Sequence, residues 1–400
     1  MDEFEKYYEN NEFNTNEIDE TTISVKDLEN LVAIPMDLSI ELIDEWKRKG
    51  KLVLDPNYQR REVWDAKKKS QFIESLILGI PIPSILLADD KKNNKYIVID
   101  GKQRLNTIVE FLASEKNGKG FKLKGLEVLN KLNNCNYYKL LTEGALVLYL
   151  SKFQDAILKA SIVKNYTEDQ LYFIFNRLNT GSVPLSTQEL RQSLFPGDFL
   201  NYINEFSYDN KQIKKVLGIK NPDKRMKDVE LVVRYFSFKH FRSEYSNSLN
   251  NFFNYTCKYF NKYWSEKESL IKEDCEKLNT SIQFVFAQLG NNAFKAYLQN
   301  KETKEWKFGP TNRPMFDLLS VIFSEEEYRK KIIDNNINLE KLIIELFTTN
   351  EKFYDAFLPT THSKEKTERR YNLFLERLNN IWEETNDKRI LKIKETHWRN

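Results

Sequence analysis

Residues 100–104 carry the side chains of this sequence with the most evident chemistry. Asp100, Gly101, Lys102, Gln103 and Arg104 bring a carboxylate, an amine, an amide and a guanidinium together around one glycine. The β-branched apolar residues before them are typical of a strand, and the apolar spacing after them is typical of a helix. Such a junction directs backbone N–H groups and the positive end of the helix dipole towards one point, where an anion is favoured. The segment therefore predicts a phosphate or nucleotide site.

Two further polar segments lie on either side of this one in the sequence. The upstream segment contains Gln59 and Arg60 and follows a short predicted strand. The downstream segment holds four candidate residues, which are Asn176, Arg177, Asn179 and Thr180. Thr180 precedes a glycine and is explained as part of a helix C-cap, whereas a cap does not need Arg177. We expect Arg177 either to be a second arm of the phosphate site or to bind Glu189.

In order and spacing, the three segments resemble the N-terminal domain family of the GmrSD-type modification-dependent restriction enzymes. That family is related to the ParB/sulfiredoxin-like fold and has an Asp-Gly-Gln-Gln-Arg signature, to which residues 100–104 are similar. The resemblance extends over roughly residues 38–250. It implies a component of an anti-phage restriction system that binds a nucleoside triphosphate with Mg²⁺ and senses DNA.

The resemblance also implies roles for individual residues. Asp100, Gln103 and Arg104 are the expected catalytic residues of a Mg-dependent NTPase, with Asp100 as the metal ligand. The expected nucleotide-binding residues are Gln59, Arg60, Gly101, Lys102, Asn176, Arg177, Asn179 and Thr180. The structural alternative is that Asp100 caps the helix and that Arg104 is an ordinary surface residue.

Three positions depart from the family pattern. Lys102 replaces the first Gln of the signature, Asn106 replaces a Thr, and Ser182 replaces the second Gly of an Asn-Thr-Gly-Gly turn. Lys102 adds a positive charge beside the expected phosphate, which favours binding. Whether hydrolysis survives these changes is left open by the sequence.

Composition limits the class of protein. The net charge is +3, but residues 1–20 hold eight acids and one lysine, so the remainder carries ten excess positive charges. A basic body is compatible with DNA as a partner, although lysine is abundant throughout the chain. Three Cys and three His exclude a disulfide framework and argue against a zinc site. No apolar run of 18 residues and no signal peptide is present, which predicts a cytoplasmic protein without a membrane partner.

The pattern of elements predicts an α+β fold followed by helices. We expect an acidic disordered tail at 1–22, a ParB/sulfiredoxin-like α+β domain at 23–190 and an irregular all-helical domain at 191–400. Predicted helices of the first domain span 39–47 and 67–79. Its predicted strands are 52–55, 85–88, 96–99, 146–150 and 156–163.

Two other classes of function compete with the NTPase. The first is a non-catalytic interaction protein that holds a separately encoded effector nuclease, and the second is a metal-dependent nuclease acting through the N-terminal site. Full-length relatives carry a His-based nuclease domain, but His362 and His397 lie in no such motif, so we expect that domain to be absent. Arg234 and His240 fit an Arg-x5-His ribonuclease pattern, at a spacing that chance readily produces. A homo-oligomer is compatible with all three.

Overall fold

The computed structural model describes residues 31–54, 64–115, 120–167, 170–171, 173–174, 186–300, 303–358 and 363–397. The chain folds into two compact units, and in the sequence the boundary between them falls after Leu194. We call the described residues up to Leu194 the N-terminal unit, and those from Phe195 the helical unit. The expected acidic tail lies outside the described residues.

The N-terminal unit contains both strands and helices. Its strands are β1 (Val32–Ser39), β2 (Leu52–Val53), β3 (Ile85–Asp90), β4 (Lys95–Asp100) and β5 (Ile157–Lys164). Its helices are α1 (Ile40–Arg48), α2 (Ala66–Leu78), α3 (Lys102–Leu112), α4 (Tyr137–Thr142), α5 (Val147–Gln154) and α6 (Thr187–Leu194). Short 3₁₀ turns lie at Ala113–Glu115, Asn130–Leu132 and Gly144–Leu146.

The five strands form one mixed sheet in the order β1-β5-β3-β4-β2. The β1–β5 and β3–β4 pairs are antiparallel, whereas β3–β5 and β2–β4 are parallel. Because β2 and β4 are parallel, their carboxyl ends lie at the same edge of the sheet. That edge is where Asp100 ends β4.

Side chains that alternate along the strands bury both faces of the sheet. Leu87 and Val98 belong to the larger core, which also contains buried residues of α1 to α5. Leu86 and Ile97 belong to a second core, into which α6 inserts Leu190. Helices α3 and α6 therefore pack on opposite faces of the same sheet.

Local signals explain where the first helices begin and end. The Ser39 hydroxyl accepts a hydrogen bond from the Leu42 N–H at 3.1 Å and caps α1, as predicted. Asp65 caps α2 through the Lys68 N–H at 2.8 Å. Gly79 ends α2 in the left-handed conformation at φ 70°, which a glycine adopts without strain.

One prediction for the N-terminal unit was wrong, and one strand was not predicted. Residues 146–150 form a 3₁₀ turn and the start of α5, not a strand, because a short apolar run fits either structure until its partners are known. The strand that was not predicted is β1, which contains Pro35. Proline is tolerated there because β1 pairs only with β5.

The helical unit consists mainly of helices. They are α7 (Asp198–Tyr208), α8 (Lys211–Leu217), α9 (Lys227–Phe241), α10 (Leu249–Lys262), α11 (Trp264–Leu289), α12 (Arg313–Ile322), α13 (Glu326–Asp334), α14 (Leu339–Thr349), α15 (Glu351–Asp355) and α16 (Lys364–His397). The sequence pattern missed one antiparallel hairpin, β6 (Lys295–Gln299) with β7 (Trp306–Thr311). The predicted class, an α+β unit followed by a helical unit, is otherwise confirmed. Among the described helices, none combines the length and the apolar character that a membrane span requires.

One buried carboxylate fastens the loop after α3 to α2. Glu74, which is 5% exposed, accepts hydrogen bonds from the backbone N–H groups of Glu127, Val128 and Leu129 at 3.1, 2.9 and 2.6 Å. Burial raises the pKa of Glu74, but the three backbone hydrogen bonds outweigh it, so that the pKa lies below its usual value. The ionised carboxylate therefore stabilises the folded state.

We predict that Glu74→Gln lowers the free energy of unfolding at pH 7 by about 1–3 kcal/mol, because the amide replaces a charged acceptor by a neutral one and turns a donor towards backbone N–H groups. Since the folded pKa is depressed, the wild-type advantage is complete above the unfolded pKa of about 4.3 and is lost as the pH falls through the folded value. Chemical denaturation at pH 7 and at pH 3 measures both effects.

The matched control is Glu127→Gln, which changes an exposed carboxylate of the same loop that accepts a hydrogen bond from the Gln71 side chain. It should alter stability by less than about 0.5 kcal/mol. Equal losses in the two variants would contradict the role given to Glu74.

Candidate functional site

The turn between β4 and α3 requires a glycine. Gly101 has φ 91°, in the left-handed region that favours glycine. A Cβ at this position would lie 2.9 Å from Cγ1 of Ile85, which is closer than carbon atoms pack. The strand therefore passes into the helix directly beneath β3, and the turn occupies the carboxyl edge of the sheet.

Arg104 braces this turn from inside. Its Nη2 donates to Oδ2 of Asp100 at 2.7 Å, and its Nη1 donates to the carbonyl oxygen of Pro83, with the Ser84 carbonyl 3.4 Å away. The Arg104 side chain is 10% exposed and that of Asp100 is 39% exposed. The guanidinium thus joins the end of β4 to the segment that enters β3.

This geometry corrects both structural alternatives given by the sequence. The cap residue of α3 is Gly101 and makes no side-chain cap bond, so Asp100 does not cap the helix but pairs with Arg104. Arg104 is buried rather than a surface residue. Its hydrogen bonds explain its presence structurally, whatever ligand the turn receives.

Helix α6 begins with a capping box. The Ser186 N–H donates to the Glu189 carboxylate, and the Glu189 N–H donates to the Ser186 hydroxyl at 3.1 Å. The Ser-x-x-Glu spacing signals this in the sequence, where Glu189 had been considered as an ion-pair partner. Arg191, which is buried, donates from Nη1 to the side-chain oxygen of Gln188.

Lys102, at the start of α3, contacts α6 across the edge of the sheet. Its side chain is almost completely buried, with 2% exposure for the residue. Its Nζ lies 3.2 Å from the Ser193 hydroxyl oxygen, to which it donates. A buried ammonium is costly unless polar groups or an anion surround it, so this position is chemically unusual.

Within the described residues, three amide atoms of α3 and α6 have no hydrogen-bond partner. They are Nδ2 of Asn106, Nε2 of Gln188 and Oε1 of Gln192, and all three residues are buried. Asn106 lies one helical turn after Lys102, while Gln192 is next to Ser193 and Gln188 one turn earlier. Each atom costs about 1–3 kcal/mol when left unbonded, so the group has unused capacity to bind a polar ligand.

Asp100 is the carboxylate of the turn that a metal ion could use. Mg²⁺ that arrives with a nucleotide typically takes one or two protein carboxylates and the phosphates, and Asp100 fits that modest requirement. Within the described residues, no group of three or more His, Cys, Asp or Glu side chains is arranged to hold a metal ion.

Six of the predicted nucleotide-binding residues lie outside the described residues: Gln59, Arg60, Asn176, Arg177, Asn179 and Thr180. The described residues before the first of these segments end with β2, at the same sheet edge as Asp100. Gly101 and Lys102 lie in the turn, and Gln103 lies in the first turn of α3, half-buried. The roles of all these residues remain predictions.

The Arg-x5-His pair of the helical unit does not present a free arginine. Arg234 is 1% exposed and donates from Nε and Nη2 to the two carboxylate oxygens of Asp317, at 2.9 and 2.6 Å. Its Nη1 also lies 4.0 Å from Oε1 of Glu230, one helical turn earlier. His240 contacts Asp274 at 2.7 Å. Arg234 therefore holds α9 to α12.

A known family model matches the part of the chain that contains the candidate site. Residues 40–196 match the model of the GmrSD restriction endonuclease N-terminal domain. Over these residues the chain is similar to a GmrSD-type N-terminal domain. The resemblance inferred from the three polar segments is thereby confirmed, and it fits a component of a restriction or defence system. No curated protein matches the chain.

Sequence reasoning missed part of the polar group in this GmrSD-type domain. Asn106 was noted only as a departure from the family pattern, and Gln188, Gln192 and Ser193 were not considered as site residues. Their spacing on one short helix was visible, but amides on a helix usually face solvent. Only the packing of α6 on the sheet shows that they are buried.

We predict that Arg104→Ala lowers the free energy of unfolding by about 2–3 kcal/mol, because it leaves two carbonyl groups and Asp100 without their donor. This expectation replaces the surface role considered from the sequence. Thermal or urea unfolding of the purified chain measures the loss.

Arg48→Ala is the matched control. Arg48 and Asp44 form an i,i+4 pair at 2.8 Å, as Arg104 and Asp100 do, but the Arg48 side chain is 67% exposed. The expected cost is less than about 0.5 kcal/mol. If both variants unfolded like the wild type, Arg104 would not be a brace.

Proposed function

We propose that this chain is the nucleotide-binding, DNA-sensing component of a restriction system, and that the nucleotide binds at the Lys102 turn of its GmrSD-type domain. The observation that carries the proposal is that buried amide atoms of Asn106 on α3 and of Gln188 and Gln192 on α6 have no hydrogen-bond partner among the described residues. These are the two helices that the Lys102–Ser193 contact joins. A fold gains nothing from such atoms by themselves, so a ligand that supplies their partners explains them.

The chemistry of the group suits a nucleoside triphosphate. The Lys102 ammonium and the amide donors of Asn106 and Gln188 can donate to phosphate oxygens. The Gln192 carbonyl oxygen accepts hydrogen bonds, which a ribose hydroxyl or a base amino group donates. We propose that Gln59, Arg60 and Arg177 complete the phosphate contacts.

Asp100 is proposed to contact Mg²⁺ brought in with the nucleotide, which neutralises phosphate charge and supports hydrolysis if hydrolysis occurs. Arg104 acts here as a positioning residue, because its hydrogen bonds fix the carboxylate relative to the turn. The proposal accordingly keeps Lys102 as a nucleotide-binding residue and gives Arg104, expected from the family signature to be catalytic, a positioning role.

Access to the group couples binding to movement of α6. The three amide atoms and Lys102 are shielded from solvent, so a nucleotide reaches them only if α6 moves relative to α3. Ser193, which Lys102 contacts, lies one residue before the end of α6 and two before the helical unit begins. A nucleotide that replaces this contact would thus act on the chain where the two units join.

We predict that Gln192→Leu weakens nucleotide binding at least about tenfold while leaving the thermal midpoint unchanged or raised, because an apolar side chain of similar size removes a partnerless polar atom. Calorimetric titration with ATP, GTP, CTP and UTP in the presence of Mg²⁺ measures affinity, and phosphate release measures turnover. The rate of backbone amide hydrogen exchange in residues 186–194 should change on binding, because α6 moves.

Asn335→Leu is the matched control, since Asn335 in the helical unit also has a partnerless amide oxygen. It should leave nucleotide affinity unchanged. Wild-type protein that binds none of the four nucleotides would contradict the proposal and favour the interaction protein that holds a separate effector.

A further inference from the structure

Tyr255 and Tyr259 of α10, with Tyr263 at its C-cap, form a row of neighbouring tyrosines at the protein surface. Four-residue spacing places the three side chains one above the other on the helix. The ring centroids of Tyr255 and Tyr259 are 6.3 Å apart, and those of Tyr259 and Tyr263 are 4.8 Å apart. Tyr255 is 46% exposed, and the other two are half-buried.

Phenylalanine side chains pack against the tyrosine row. Phe241, at the end of α9, packs against Tyr255 and Tyr259 at centroid distances of 5.1 and 4.9 Å. Phe260, which is buried, contacts Tyr259 at 5.4 Å. These contacts restrict the rings before any ligand arrives, which lowers the entropic cost of stacking on them.

The chain segment that carries the row is positively charged. Residues 245–265 contain no Asp or Glu, although acids make up 59 of the 400 residues of the chain. Lys258 and Lys262 alternate with the tyrosines and are exposed. The Lys262 ammonium lies 4.9 Å from the centre of the Tyr263 ring.

Core packing explains the residues on the buried side of α10 but not the exposed tyrosine Tyr255. The buried face consists of residues such as Phe252, Phe253 and Cys257, which need no polar atom. A tyrosine at an exposed position instead offers an aromatic face together with a hydroxyl group. A row of such rings between lysines suits a ligand with successive flat rings and negative charges.

We propose that this tyrosine row binds single-stranded DNA, with bases stacked on the rings and backbone phosphates on Lys258 and Lys262. Stacking on aromatic side chains beside a basic track is the general chemistry of single-strand recognition, whereas duplex DNA hides its base faces. The inference rests on the DNA-sensing part of the proposed function and identifies its DNA as single-stranded. It is independent of the nucleotide site in the N-terminal unit.

The test is binding of a fluorescein-labelled 20-residue oligo(dT) by the full chain, followed by anisotropy over a range of salt concentrations. Tyr255→Ala should weaken binding about 5- to 150-fold, the loss expected for one stacked base, while Tyr255→Phe, which keeps the ring, should bind like the wild type. Lys262→Gln should reduce the magnitude of the salt slope by about 0.7, the value for one phosphate contact on a single strand.

Tyr138→Ala is the control for tyrosine loss, because Tyr138 lies on α4 of the N-terminal unit and is 44% exposed. Lys330→Gln is the control for charge, since Lys330 is exposed and pairs with Glu326. Both should bind oligo(dT) like the wild type. Circular dichroism melting checks that every variant is folded.

Three results would overturn the inference. These are absence of oligo(dT) binding by the wild type at low salt, equal effects of Tyr255→Ala and Tyr138→Ala, and loss of self-association on Tyr255→Ala, seen by sedimentation, without loss of DNA binding. The last result would assign the row to contact between two copies of the chain. Nucleotide affinity measured on the same variants separates the two proposals: an intact value in Tyr255→Ala with lost DNA binding supports this one.

Discussion

The candidate site of this protein depends on the hydrogen bonds of one buried guanidinium. Arg104 joins the carboxyl end of β4, through Asp100, to the carbonyl groups of Pro83 and Ser84 at the start of β3. Because Gly101 packs against Ile85 too closely for any Cβ, the turn has little freedom to move away from β3. The position of Lys102, and with it the polar group between α3 and α6, follows from this brace.

Residues that stabilise the fold lie close in sequence to residues proposed to bind the ligand. The brace satisfies its polar atoms internally, as Glu74 does in the loop that it fastens to α2. Asn106, Gln188 and Gln192 instead have amide atoms with no hydrogen-bond partner among the described residues, at a cost in folding free energy. In this domain, the residues that stabilise the turn and the loop therefore differ from those proposed to bind a ligand.

The helical unit uses its polar residues in two ways. Buried charges such as Arg234 and Asp317 pair in bidentate geometry and hold helices together. Burial lowers the pKa of Arg370 to about 10, yet its guanidinium still donates to the Ala356 carbonyl. On the surface, the tyrosine row of α10 lies beside Lys258 and Lys262, and this arrangement has the form of a binding surface.

Local information in the sequence determined much of the fold. The caps of α1 and α2, the strand–turn–helix junction at Gly101 and most helices of the second unit follow from signals within a few residues, because capping and amphipathic spacing are local effects. The order and spacing of three polar segments also sufficed to identify the GmrSD-type domain in residues 40–196.

The tertiary structure alone decided which side chains are buried and what they bind. The sequence of residues 146–150 fits a strand or a helix locally, and packing against other elements decides for the helix. β1 accepts Pro35 because it is an edge strand of the described sheet. Arg104 is a brace rather than a surface residue because the segment that enters β3 supplies carbonyl groups to its guanidinium. The amides of α6 are shielded from solvent because Leu190 anchors the helix to the sheet. Such contacts join residues distant in sequence, and no local pattern encodes them.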